Sequence, residues 1–396
     1  MTAAANPVEQ PHPHPHNNEL RASTLELFFD LVFVFTLTQL TVLLAHHLEW
    51  TYAGRTLLMF MVLYWMYGGY VYLTNQVPPD RPARRLLLIA GMASFLICAL
   101  AIPDAFDDGG IAFGLGYLLV VIVHGVLYAQ THGRHILWFV LPNVLGAGCV
   151  ITAGAADGTA ADALWITAIV VQLATATIVG KLSPGRRPDA ESGLSERIGG
   201  LNPAHFVERH GLLLIVAFGE SVIAVGVGLE DEHSLDAGSF AAVLLGLALA
   251  AGLWWAYFVQ DEEAAEKALA AAPPQQRFKL AITAYFYCFV PMLLGIVILS
   301  AGVKKSLGHL GEHLHTGPAL ALAGGVALYL AGDAAFRTVL GIRPRAGRAA
   351  AAAVALATVP LGTQVNAAAQ LITLVAVIVA LLAAEYRLAP AEKPEA

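Results

Sequence analysis

Runs of about 20 apolar residues recur along the chain with short polar breaks between them, and that length is what one helical crossing of a bilayer needs. Such runs lie near 26–46, 55–75, 85–103, 110–130, 135–154, 162–181, 208–228, 238–259, 279–301, 317–338, 347–364 and 367–386. They predict an all-α integral membrane protein of about twelve transmembrane helices. Only "TQVNAA" parts the last two runs, and the alanine-rich 349–358 stretch is a weak span signal.

The longest polar segment, "LSPGRRPDAESGLSERIGGLNPAH" (182–205), divides these runs into two sets of six. The expected organisation is a disordered His/Pro tail over 1–23, a first half over 24–181, a cytoplasmic linker over 182–205, a second half over 206–388 and a tail over 389–396. The halves resemble each other weakly. Glu26 opens the first run and Glu208 the seventh, "LYWMYGGYVYLTN" answers "GLWWAYFVQDE", and the fourth and tenth runs set His124 opposite Asp333. Six spans per half keep the same orientation, so the expectation is two parallel six-helix repeats about an axis along the membrane normal.

Charge orients the bundle. Of the 22 Lys and Arg, all but Arg55, Lys304 and Lys305 fall in the tails or in the loops and helix ends on the N-terminal side. The opposite loops are acidic, as in "PDAFDDGG" (103–110) and "LEDEHSLDAG" (229–238). The positive-inside rule then places both termini in the cytoplasm of a cell-membrane protein. Composition agrees: the 396 residues are 57% hydrophobic and 13% charged, against roughly 25% charged in soluble domains, and mean hydropathy is +0.66.

Several function classes drop out. Cys98, Cys149 and Cys288 lie singly in apolar runs, without disulfide or thiolate-metal spacing. The N-terminus has no basic segment followed by an apolar core, so no cleaved signal peptide is expected. His12, His14 and His16 alternate with proline and read as polar tail. No lysine lies inside a run to carry retinal, no helix repeats arginine every third residue as a voltage sensor does, and "GESVIAVG" lacks the last glycine of a nucleophile elbow. "HLGEH" (309–313) fits H-x-x-E-H, but it sits in a glycine-flanked loop before a proline and reads as a solvated loop. No cofactor, no metal and no nucleic-acid partner are expected. The partners expected are membrane lipids and an unidentified small molecule or ion.

Ionisable residues inside a span are functional candidates because each is costly in lipid. Glu26 and Asp30, four residues apart, share one helix face and repel if both are ionised. Asp30 lies roughly 9 Å past the interface, at 1.5 Å per residue. The site must bind a proton, a cation or an arginine from another helix. The structural reading is an ion-pair network with Arg209, Arg337 or Arg85; the functional one has Asp30 exchanging a proton or cation. Glu220 lies about 18 Å beyond Glu208, either hydrogen-bonded to another helix or lining a cavity. His124 is a core histidine or part of a proton path. Glu208, with Glu26, suits the first turn of a helix through the dipole. Pro142 and Pro291 should distort their helices. Tyr64, Trp65, Tyr67, Tyr70 and Tyr72 read first as an interfacial belt and second as a pocket lining.

"STLELFFDLVFVFTLTQLT" (23–41) and "HFVERHGLLLIVAFGESVIAVG" (205–226) resemble the two signature segments of the low temperature requirement A (LtrA) family, and "LWWAYF" (253–258) and "GIVILSAGVKKSLGHLGE" (295–312) are similar to it as well. The resemblance covers about residues 20–388 and implies a multi-pass bacterial membrane protein without an assigned reaction. Position 333, often His in such proteins, is Asp here, and Thr283 and Phe289 stand where relatives can carry an acid and a His. The function expected first is a proton- or cation-coupled secondary transporter. Asp30 and Glu220 would be its coupling or binding carboxylates, with Glu26, His124 and Asp333 beside them. The alternatives are a membrane-embedded enzyme acting on a lipid or isoprenoid, and a non-catalytic membrane protein needed for growth in the cold.

Overall fold

A computed structural model describes residues 22–132, 137–182, 201–227, 237–307 and 309–388. The tail histidines, most of the 182–205 linker and most of the acidic 229–238 loop lie outside the described residues. Among the described residues the chain is helical throughout, without strands. The first half contains α1 (Thr24–His46), α2 (Trp50–Gln76), α3 (Pro82–Ala101), α4 (Gly110–His132), α5 (Leu137–Ala153) and α6 (Gly158–Leu182). The second contains α7 (Pro203–Val227), α8 (Ala237–Phe258), the short α9 (Glu262–Ala271) and α10 (Pro274–Ile282), then α11 (Phe289–Ser306) and α12 (Thr316–Leu340). It closes with α13 (Ala346–Leu356), α14 (Val359–Gln364) and α15 (Ala367–Leu388).

Local chemistry sets several boundaries. Ser23 caps α1 in a reciprocal capping box with Glu26. Pro82 sits in the first turn of α3, where a missing N–H costs nothing. Gly341 ends α12 at φ 75°, a left-handed conformation that glycine adopts without steric cost. Pro291 has no N–H to continue the ladder, and the backbone just before α11 widens into a π turn over Thr283–Cys288.

Nine helices among the described residues are long and apolar enough to cross a membrane. The other three expected spans, α5, α6 and α7, have side chains described over only part of their length. The side chains described in α5 and α6 cover Val140–Ala153 and Gly158–Ala174, both apolar. The 25-residue α7 is long enough but carries Glu208, Arg209 and Glu220. The helices also keep apolar side chains on their outer faces, among them Phe28, Leu31, Leu100, Leu141, Val170, Leu244 and Val379. Apolar surface on both sides of a helix is what lipid solvent selects. The chain is a multi-pass membrane protein.

Helix α1 lies at the centre, touching α2, α3, α7 and α11. The most extensive pairing joins α11 to α12. Glycines make it possible: a Cβ at Gly325 would fall 2.5 Å from the backbone nitrogen of Leu299, and one at Gly295 would fall 2.7 Å from that of Tyr329. Without a hydrophobic force between helices in lipid, such backbone contact supplies the attraction.

Candidate functional site

The N-terminal ends of α1 and α7 meet in a buried ionic cluster. Arg209 clamps Asp30 with two parallel bonds, Nε to Oδ2 at 2.8 Å and NH2 to Oδ1 at 2.5 Å. Its NH1 donates to Glu26 Oε1 at 2.9 Å and to Thr74 Oγ1 at 3.0 Å. Tyr67 of α2 donates its hydroxyl to Asp30 Oδ1 at 2.9 Å. Glu26 Oε2 also accepts from the Ser23 amide at 2.8 Å and the Ser23 hydroxyl at 2.7 Å. Asp30 and Arg209 are each 1% exposed, so the pair is held by geometry rather than by water. A fork-on-carboxylate arrangement is the strong form of such a contact.

His205 completes this cluster, and its tautomer can be assigned from its neighbours. The Asn202 amide donates to Asn75 Oδ1 at 3.0 Å, and Asn75 Nδ2 donates to the Asn202 carbonyl at 3.0 Å, which fixes the side-chain amide. That leaves Nδ2 as donor to His205 Nδ1 at 3.1 Å. The ring then carries its proton on Nε2, 3.2 Å from Glu26 Oε1. With a neutral His205, the cluster holds two carboxylates against one guanidinium. A cavity of about 470 Å³ opens beside it, lined by Glu26, Thr74, Asn75, His205, Asp80 and Arg85 among others.

A second cluster, not foreseen from the sequence, joins the ends of α8, α12, α13 and α15. Arg337 Nε reaches Asp261 Oδ1 at 2.8 Å and its NH1 reaches Glu385 Oε1 at 3.0 Å. Arg348 reaches Asp261 at 2.8 Å, Glu385 at 3.0 Å and, in a close contact, Asp333. Arg337 and Asp333 therefore belong here and not beside Asp30, and Arg85 donates to the Pro79 carbonyl at 3.0 Å. Among the described residues Glu208 enters no ion pair; it accepts the Ala22 amide at 2.9 Å.

Farther along α7, Glu220 meets α1 through the Thr38 hydroxyl at 2.6 Å, and Ser221 meets α11 through Ser300 at 2.7 Å. His124 of α4 packs on α2, where a Cβ on Gly69 would fall 3.1 Å from its Nε2 and the Tyr70 ring centroid lies at 5.0 Å. The aromatic residues of α2 correct the belt expectation. Tyr64, Tyr67 and Tyr70 are fully buried, and each turns its hydroxyl inward, to the Tyr285 carbonyl at 2.6 Å, to Asp30 and to the Val120 carbonyl at 3.0 Å. A buried phenol needs a partner, and the interior supplies one for each. Trp65 likewise donates to Asn143 at 3.0 Å.

The 309–313 motif lies on an exposed loop with His309 and Glu312 at 3.4 Å. Among the described residues no group of three His, Cys, Asp or Glu is placed to hold a metal ion.

Fold and cluster together define a multi-pass helical membrane protein with charged residues locked between its helices. The family described as "Bacterial low temperature requirement A protein (LtrA)" matches residues 21–383, and the chain belongs to that family. It is similar to an uncharacterized protein of Rhizobium meliloti (strain 1021), 28% identical over 336 residues, covering 80% of this chain and 77% of that protein.

Proposed function

We propose that the chain crosses the bilayer twelve times with both termini in the cytoplasm, and that it is a proton- or cation-coupled secondary transporter of a small solute. The nine clear spans plus α5, α6 and α7 make twelve, and the distribution of Lys and Arg supports the orientation. One observation carries the functional reading. The α1–α7 cluster holds two carboxylates against one guanidinium while bordering a cavity of about 470 Å³. A buried excess of one negative charge calls for a proton or a cation to balance it, and a site that exchanges that charge with solvent through a cavity has what coupling requires. In this reading Asp30 and Glu26 are the coupling carboxylates, Arg209 holds them, and His205 relays between Glu26 and the cavity. Glu220 and His124 belong to the path deeper in the bundle.

A second reading, a membrane-embedded enzyme acting on a lipid, has one observation in its favour. Ile89 lines the same cavity and is 47% exposed on the flank of α3, as a lateral opening to lipid would require. The test for both is thermal unfolding of the purified protein between about pH 5 and 9 against solutes, ions and lipid phosphates. Glu26→Gln and Asp30→Asn are run beside the wild type. Transport expects a soluble ligand that raises the midpoint, with a pH dependence that Glu26→Gln abolishes. No shift from any solute overturns it, and a shift from lipid phosphates alone selects the enzyme. The family's description makes growth of a deletion strain in the cold a second readout.

A further inference from the structure

In the second cluster every guanidinium donor is taken and, among the described residues, one carboxylate acceptor is left over. Arg337 spends its five N–H groups on Asp261, the Pro344 carbonyl, Gln260 Oε1 and both oxygens of Glu385. Arg348 spends its five on both Glu385 oxygens, Asp261 Oδ2, Asp333 Oδ2 and the Ala256 carbonyl. Asp261 and Glu385 are thereby met on both oxygens by guanidinium groups. Asp333 is met on one only. Among the described residues its Oδ1 is buried without a hydrogen-bond partner, and the residue is 0% exposed.

The charges count the same way. Asp261, Asp333 and Glu385 stand against Arg337 and Arg348, three negative groups against two positive ones. Among the described residues, Tyr329 of α12, Tyr257 of α8, Tyr285 of the π turn and Glu262 and Glu266 of α9 also lie near the cluster or its tyrosines, and none of these adds positive charge. A net negative charge in a dry helical interior is unfavourable by far more than a neutral group with one unmet bond.

We infer that Asp333 holds an exchangeable proton at Oδ1, so that the five side chains form a one-proton binding site. A metal cation is the poorer occupant, because hard cations take several oxygens and a single carboxylate oxygen is open here. The two arginines fix which acid carries the proton by saturating the other two. The inference does not depend on transport, since a proton is held on Asp333 whether or not a solute crosses.

Infrared spectra of the full chain in lipid nanodiscs, recorded without any solute, test it. The wild type should show the carbonyl stretch of a protonated carboxylic acid, displaced by isotopic labelling of aspartate carboxyls. In Asp333→Asn the band should lose intensity, and the component lost there should remain in Asp30→Asn. In Asp333→Glu it should become sensitive to glutamate labelling instead, which keeps the test available if the asparagine variant does not fold. A wild type with no aspartate-sensitive acid band overturns the inference, as does a band that Asp333→Asn leaves unchanged. A midpoint raised by sodium or potassium chloride in the wild type but not in Asp333→Asn overturns it in favour of a cation. None of these outcomes bears on whether a solute binds beside Glu26, so the two readings fail separately.

Discussion

Arg209 and Asp30 face each other across a bidentate contact, yet replacing them should have unequal consequences. In Arg209→Gln, Asp30 loses both guanidinium bonds and keeps the Tyr67 hydroxyl, and Glu26 keeps Ser23 and His205. Two carboxylates then remain without a cation. Removing one partner of a buried pair costs about 3–5 kcal/mol, roughly two to nearly four powers of ten in the folding equilibrium. For a chain of this size the unfolding midpoint should fall by roughly 4–6 °C. In Asp30→Asn, by contrast, Arg209 keeps Glu26 and Thr74, and the charges become one against one. The loss is then the difference between charged and neutral bonds, about 1–2 kcal/mol. The double variant should be more stable than Arg209→Gln alone, because it removes a carboxylate that the first change left unpaired. Thermal unfolding of all four proteins at neutral pH, followed by tryptophan fluorescence, reads the cycle. Equal losses for the two single variants, or a double variant whose loss is the plain sum, would refute the charge count on which the coupling proposal rests.

Two further changes probe the fold. Gly325→Ala puts a methyl 2.5 Å from Leu299 nitrogen, whereas Gly324→Ala meets nothing within 4 Å. The first should lower stability by about 1–3 kcal/mol and the second should leave it unchanged or raise it by up to about 1 kcal/mol, as measured by denaturant or thermal unfolding in the same detergent. Ser23→Ala breaks the capping box that also steers Glu26 and should cost about 0.5–2 kcal/mol. Faster amide exchange in the first turn of α1 and not elsewhere checks that the loss is local.

How far the sequence reaches is decided by what each residue needs. Two acids at i and i+4 in an apolar helix demand a positive charge, so the need for a partner to Glu26 and Asp30 was legible. Which of Arg209, Arg337 and Arg85 supplies it was not, because that depends on which helix ends the packing brings together. The second cluster shows the same limit more sharply. Asp261, Arg348 and Glu385 stand at the ends of apolar runs, where a lone charge looks like an ordinary solvated helix end, and only the approach of α8, α12, α13 and α15 buries all three. Tyr64, Tyr67 and Tyr70 misled for a related reason. Aromatics near a span terminus suit the interface and the core equally well by composition, and what separates them is the inward acceptor each hydroxyl meets. The family signature, in contrast, was legible in full, since it is a property of the chain's order and not of its folding.

Distance along the chain hides how near the two clusters are. Glu262, next to Asp261, is so close to α7 that a Cβ on Gly211 would fall 2.4 Å from its carboxylate oxygen, two residues from Arg209. Between the clusters stands a wedge of rings. His210 lies 4.8 Å from Tyr285, Tyr285 lies 5.1 Å from Phe336, and Phe336 precedes Arg337. Rings packed this way exclude water, so neither cluster can relieve its charge by hydrating the space between them, and each has to be balanced by its own side chains and whatever ion or proton it holds. Tyr285 touches both sides of this arrangement. Its carbonyl accepts from Tyr64, which neighbours the Tyr67 that donates to Asp30, while its ring packs on the residue beside Arg337. It also sits in the π turn over Thr283–Cys288, where the regular helical ladder is already interrupted and a change in backbone hydrogen bonding is least costly. Tyr285 is thus the residue at which the packing around the two clusters meets.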